Sequence, residues 1–143
     1  MKLTSPAFKL NEHIPDIYSC NGKDINPQLD IEDIPSGTES LALIMDDPDA
    51  PIGNFVHWVA FNIPVQNKIK PNTEPGVQGK NNFNKNGYGG PCPPGGTHRY
   101  YFTVYALDTK LNLSEGSDKK SLEKAMKGHV LDRAKLIGLY SKK

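Results

Sequence analysis

At 143 residues with 36% hydrophobic side chains, the chain has room for one domain, 1–143, that buries on the order of two-thirds of the surface its unfolded form exposes. Its 17 basic and 16 acidic residues leave a net charge of +1, which offers no electrostatic footprint for nucleic acid or for an anionic membrane surface. No apolar run approaches the ~20 residues that insert across a bilayer, and the start, Met1-Lys2-Leu3-Thr4-Ser5-Pro6, lacks the apolar stretch of a secretory signal, so the chain as given reads as cytoplasmic.

In that compartment two reduced thiols are expected. Cys20 and Cys92 form neither a CxxC nor a metal-ligand spacing, and a disulfide is open to them only if the fold brings them together. The 12 prolines and 13 glycines point to many turns and few long helices.

Along the chain, residues 3–10 hold a short extended segment interrupted by Pro6, which suits a sheet edge. Residues 11–39 are polar and rich in turn formers, with Leu29-Asp30-Ile31-Glu32 alternating as a brief half-exposed strand. The apolar run 40–45 predicts the first buried strand. It leads into Asp46-Asp47-Pro48-Asp49-Ala50-Pro51, where two prolines fix their own φ, deny backbone donors and push Asp47 and Ala50 out of helical space. The strand has to stop there in a stiff turn that carboxylates can close.

Residues 55–63 and 98–107, rich in aromatic and β-branched side chains, predict the second and third strands. The stretch 64–97 between them reads as a loop. Structureless loops longer than ~12–15 residues are uncommon and are functional or disordered. Disorder competes for the Asn-rich part, 81–87, and less so for the Pro-rich part, whose φ angles are preset. Near the C-terminus, Leu122, Met126, His129, Val130, Arg133, Ile137 and Tyr140 recur at three- and four-residue spacing, which predicts one amphipathic helix capped by Ser117 or Asp118. Gly128 costs such a helix roughly 1 kcal/mol against alanine without having to end it.

Side chains two apart on a strand share a face. Asp47 is in phase with Leu41, Leu43 and Met45; His57 with Phe55, Val59 and Phe61; His98 and Tyr100 with Phe102 and Val104, while Arg99 points the other way. Each polar group thus continues an apolar row. Burying it unpaired is costly, so the set either pairs internally or lines a wet pocket. For one residue a satisfied structural hydrogen bond is the simpler account; four in the same placement favour a pocket.

Two histidines and an aspartate are metal-ligand types, but no pair has the spacing that marks such a site. Cys92 with His98 and Asp47 can be written as a nucleophilic triad, yet a cysteine between Pro91 and Pro93 more often packs than attacks. A binding pocket asks for less: imidazole, a tyrosine hydroxyl and loop N–H groups suit a phosphate or carboxylate. Glycines at 89, 90, 95 and 96 would let backbone donors come close.

Asp47-Pro48-Asp49-Ala50-Pro51 resembles the first signature of the phosphatidylethanolamine-binding proteins, a family that includes the Raf kinase inhibitor protein. Gly90-Pro91-Cys92-Pro93-Pro94-Gly95-Gly96-Thr97-His98-Arg99-Tyr100 resembles the second. The opening Leu3-Thr4-Ser5-Pro6-Ala7-Phe8, the segment Tyr18-Ser19-Cys20-Asn21-Gly22 and the tail 125–131 are similar to its compact prokaryotic branch.

The resemblance implies an all-β, Greek-key-like antiparallel sandwich, with a large central sheet, a small second sheet, short peripheral helices and one helix in the C-terminal region. It maps an anion pocket onto Asp47, His57, Gly90, His98 and Tyr100, supported by Pro51, Pro91, Cys92 and a buttressing Asp49–Arg99 ion pair, with no metal and no cofactor. Two departures stand out: Cys92 replaces a proline frequent in eukaryotic members, and neither their C-terminal helix nor a kinase-binding segment is recognisable.

The expected function is therefore regulatory binding, without turnover, of a small anion such as phosphate or a phospho-headgroup. Inhibition of a protein kinase or serine protease through surface loops is the alternative. A hydrolase using His57, His98 and Asp47 is the less favoured third. Strand edges and a surface helix could serve a homodimer, though no residue compels one.

Overall fold

The structure, a computed structural model, describes residues 1–143. In chain order it comprises β1 (Lys2–Thr4), a 3-10 turn (Asp16–Tyr18), β2 (Leu29–Glu32), β3 (Ser40–Asp47), β4 (Phe55–Ile63), β5 (Lys68–Ile69), β6 (Val77–Gln78), β7 (Thr97–Leu107), α1 (Lys119–Met126) and β8 (Val130–Ser141). Two antiparallel sheets result, a five-stranded one ordered β6-β4-β3-β7-β8 and a three-stranded one ordered β1-β2-β5.

The position of β3 explains its unbroken apolar run. It is the middle strand of the larger sheet and is covered on both faces, so it has no solvent side to alternate with. Leu41, Leu43 and Met45 join Leu29, Ile31 and Ile69 of the smaller sheet in the main core. Ala42 and Ile44 pack on the opposite face with Leu122 and Met126 of α1.

Strand β4 departs from strict alternation at the position that matters most. Met45 pairs with Trp58, but the next residue of β3, Asp46, pairs with Val56, so His57 is an extra residue in the ladder. Such a bulge turns a side chain through the sheet. Trp58 and Ala60 belong to the main core, whereas Val56, Val59 and Phe61 belong to the other. His57 packs against Phe55 and Tyr100 on the inner side. The alternation that grouped His57 with Val59 and Phe61 is thereby corrected.

The C-terminal expectation needs a larger correction. Asp118 caps α1 by accepting the Ser121 N–H at 2.9 Å, as one of the two expected caps, but the helix ends at Met126. Gly128 follows at φ 83°, a left-handed conformation that ends helices readily. Residues 130–141 then form a strand that pairs with β7 along its whole length. Of the supposed helical stripe, His129, Val130 and Arg133 are exposed; Ala134, Leu136, Gly138 and Tyr140 are the buried set, at a period of two.

Residues 64–97 are not structureless, since β5 pairs with β2 and β6 with β4. The Asn-rich part is a latched turn: Asn81 Oδ1 accepts the N–H groups of Phe83 and Lys85, Asn81 Nδ2 donates to the Gly87 carbonyl, and Asn82 Oδ1 accepts the Val56 N–H at 2.7 Å. Cys20 and Cys92 form a disulfide across 72 residues of chain, which replaces the two reduced thiols expected. The loop carrying Cys20 lies against the segment carrying Cys92, with the Cys20 N–H donating to the Pro91 carbonyl at 3.1 Å. No helix is long and apolar enough to cross a membrane.

Candidate functional site

The end of β3, the bulge of β4 and the start of β7 meet at one end of the three inner strands of the central sheet. There, with the turn 50–52 and the loop residues Phe83 and 92–94, they enclose a cavity of about 270 Å³. Asp47, His57, His98 and Tyr100 line it, as does Cys92. A larger groove of about 450 Å³ beside β1 and β8 has neither a histidine nor a carboxylate in its walls.

The polar floor is held from behind. Asp47 Oδ2 accepts a hydrogen bond from His98 Nδ1 at 2.7 Å, both groups being buried, and Asp47 Oδ1 accepts the Asp49 N–H at 2.8 Å. A carboxylate only accepts, so the His98 proton sits on Nδ1 and Nε2 is left free. His57 Nδ1–H donates to the Gly89 carbonyl at 2.7 Å, which likewise leaves Nε2 without a protein partner. Burial holds the His57 imidazole below its ordinary pKa, with the Gly89 carbonyl and the Asp47 charge offsetting part of that.

The third member is Tyr100, whose hydroxyl is buried and makes no hydrogen bond within the protein; the Cys92 backbone approaches it without closing one. Burial, and after it the Asp47 charge, pushes the phenol well above its usual pKa, so it stays a protonated donor. Chemically the floor offers one fixed hydroxyl donor and two imidazole nitrogens that accept when neutral and donate when protonated.

Around this floor the rim is apolar. The Phe55 and Phe83 rings meet edge to face with centroids 4.8 Å apart, and the His57 ring packs on both. Ile52, 87% exposed, tops a turn closed by the Gly53 N–H on the Ala50 carbonyl. Sequence reasoning missed this rim. The available signal was misplaced apolarity: Phe83 is the sole apolar residue between Gly79 and Gly87, and Ile52 stands between Pro51 and Gly53 in a turn.

The remaining expected residues stand behind or outside the cavity. Arg99 reaches Asp49 on the outer face, through Nε at 2.9 Å, Nη2 at 2.8 Å and its backbone N–H at 2.9 Å. The guanidinium lowers the Asp49 pKa to about 2. Gly90 does not line the cavity: its N–H donates to Asp24 Oδ1 at 2.7 Å, and a side chain there would run into the Tyr18 carbonyl. Its role is close approach at the back of the wall, and the backbone donor expected from it faces away. Pro91 is buried in the same wall, while Pro51 sits on the rim. Cys92 is bonded to Cys20, so the triad reading has no thiol nucleophile. No three His, Cys, Asp or Glu side chains converge to hold a metal ion.

Comparison with known proteins gives a consistent picture. The sequence model for phosphatidylethanolamine-binding protein matches residues 4–141. The UPF0098 protein PH1269 of Pyrococcus horikoshii is 50% identical over 151 residues, covering 97% of this chain and 76% of the relative. A UPF0098 protein of Aquifex aeolicus is 48% identical over 152 residues, covering 99% and 89%. Among solved structures, CT736 of Chlamydia trachomatis, described as a putative phosphatidylethanolamine-binding protein homolog, superposes with a TM-score of 0.96 at 42% identity, covering 99% of this chain and 97% of that one. Escherichia coli YbcL superposes with a TM-score of 0.91 at 30% identity, covering 99% and 98%.

Proposed function

The chain belongs to the phosphatidylethanolamine-binding protein family, and on that premise we propose that it binds a small anion, phosphate or a phospho-headgroup, without turnover and to a regulatory end. The observation that carries this reading is the Tyr100 hydroxyl, a buried donor with no acceptor of its own, between two histidines whose Nε2 atoms are free. Buried polar groups are normally paired, and an oxyanion would supply the missing acceptor. A tetrahedral oxyanion accepts from Tyr100 and from a protonated imidazole; a monoprotonated one can also return a proton to a neutral Nε2.

The apolar rim of Ile52 and Phe83 gives the organic part of a phosphoester a surface to lie on, which favours a headgroup over free phosphate.

Calorimetric titration with phosphate and with O-phosphoethanolamine tests this. Tyr100→Phe is expected to weaken binding by about ten- to a hundredfold, the worth of one hydrogen bond to a charged partner, and the His57→Ala/His98→Ala double variant to abolish it. A folded wild type that takes up neither compound would refute the reading.

The exposed Ile52 turn supports a second reading, inhibition of a kinase or serine protease by a protruding loop. Shortening the turn would then destroy inhibition that His57→Ala leaves intact.

A further inference from the structure

Cys92 belongs to two features at once. It is part of the cavity wall beside His57, His98 and Tyr100, and it is half of the disulfide to Cys20, which does not line the cavity. Both cysteines are exposed, so a small thiol can reach the bond, and exposed disulfides are the labile ones.

Breaking that bond would leave the wall standing. Three hydrogen bonds join the same two segments independently of sulfur: Cys20 N–H to the Pro91 carbonyl at 3.1 Å, Gly90 N–H to Asp24 Oδ1 at 2.7 Å, and Tyr88 Oη–H to the Tyr18 carbonyl at 2.6 Å. The Cys20 loop is also tied to β8, because Ser19 Oγ and Asn21 Nδ2 both donate to Tyr140 Oη, at 2.7 and 2.9 Å. With the bond to Cys20 broken, Cys92 therefore keeps its place in the cavity wall.

We propose that the Cys20–Cys92 disulfide is a site of thiol–disulfide exchange with small anionic thiols, which form a mixed disulfide on Cys92 with their anionic group seated against His57, His98 and Tyr100. The inference rests on the anion-binding reading above and assigns that site a second class of partner. The step balances without an external oxidant. The thiolate attacks Cys92 Sγ, the bond to Cys20 breaks, and Cys20 leaves as a thiolate that takes a proton from water. One disulfide is exchanged for another. Attack by Cys20 on the mixed disulfide reverses the step, and a second thiol releases the dithiol protein. Seating the anion selects which sulfur is attacked, because the bound thiol lies on the Cys92 side, and it raises the local concentration of thiol at that sulfur.

The test follows adduct formation on the oxidised protein by intact mass, with the adduct sited by peptide mapping. The probes are 2-mercaptoethyl phosphate, 3-mercaptopropionate and neutral 2-mercaptoethanol, with rates corrected for thiolate fraction. Expected are adducts on Cys92, an anionic preference of about tenfold, suppression by inorganic phosphate, and loss of the preference in Tyr100→Phe. The two anionic probes separate phosphate from carboxylate recognition. Equal rates for anionic and neutral thiols, or adducts on Cys20, would overturn the inference. Phosphate titrated on the same preparation keeps the two readings apart. Phosphate bound with no anionic preference removes the exchange site alone; no phosphate bound removes the pocket and the exchange site with it.

Discussion

The inner and outer faces of the turn after β3 carry the same side chain to opposite ends. Asp47 points inward, is buried, and holds His98 by one oxygen and the turn by the other. Asp49, two residues on, stays half-buried outside and grips Arg99 at both oxygens, tying the turn to the start of β7. The inner pair is a desolvated part of the candidate site, with one partner that can change its charge. The outer pair joins a permanent cation to a carboxylate in a wet, screened setting, where ion pairs contribute little to stability. The difference lies in strand phase rather than in residue type: His98 and Arg99 are neighbours in sequence and face opposite ways.

The comparison is broken most forcefully at Asp47. Asp47→Ala leaves the His98 Nδ1–H and the Asp49 N–H without an acceptor, and is expected to cost about 3 kcal/mol of stability as well as phosphate binding. Urea unfolding beside a binding titration would show both losses together. A variant with full stability and full affinity would place Asp47 outside the working site.

The next effect sharpens the inner side. Because burial depresses the folded pKa of His57, stability is fully present above the unfolded value near 6.5 and declines as pH falls through the folded pKa. A bound anion opposes that depression, so phosphate binding should take up protons as pH drops below neutrality. Calorimetry in buffers of different ionisation enthalpy measures the uptake, and His57→Ala should diminish it. Proton release on binding would contradict the charge arrangement described.

The smallest effect belongs to the outer pair. Arg99→Ala should cost little stability, as expected of a solvent-screened ion pair, and leave phosphate affinity within about twofold. For Asp49 the sign is that of a depressed carboxylate: its stabilising contribution is present above the unfolded pKa of 3.8 and is lost as pH falls through the folded value of about 2. The arginine variant should therefore be less stable than wild type above about pH 4, and the two should converge as pH falls towards 2. A binding loss as large as that of Asp47→Ala would reverse the roles of the two carboxylates.

Much of this arrangement was legible where a strand keeps its period. The separation of His98 and Tyr100 from Arg99 follows from simple alternation on β7, and the two prolines after Asp47 dictate the turn that presents it. His57 was legible as a lining residue for a mistaken reason, since the bulge that turns it inward depends on pairing with β3, which no local pattern records. The C-terminal segment misled because three- and four-residue spacings can be drawn through Val130, Arg133 and Ile137, while the period-two burial of Ala134, Leu136, Gly138 and Tyr140 became decisive only once β7 was available as a partner. The Cys20–Cys92 bond and the Phe83 rim join segments far apart in the chain, and only tertiary folding brings them together.

The β4 ladder slips against β3 twice, and the slip at His57 has a consequence for how this protein can change. For pairing with β3, His57 is surplus: removing it would restore regular pairing between Asp46 and Met45 and their β4 partners, leaving only the irregularity opposite Ala42. The shortened chain is expected to fold at least as readily and to have no pocket. Selection or design for sheet regularity alone would therefore discard the site. The irregular position persists only while something rewards what it holds.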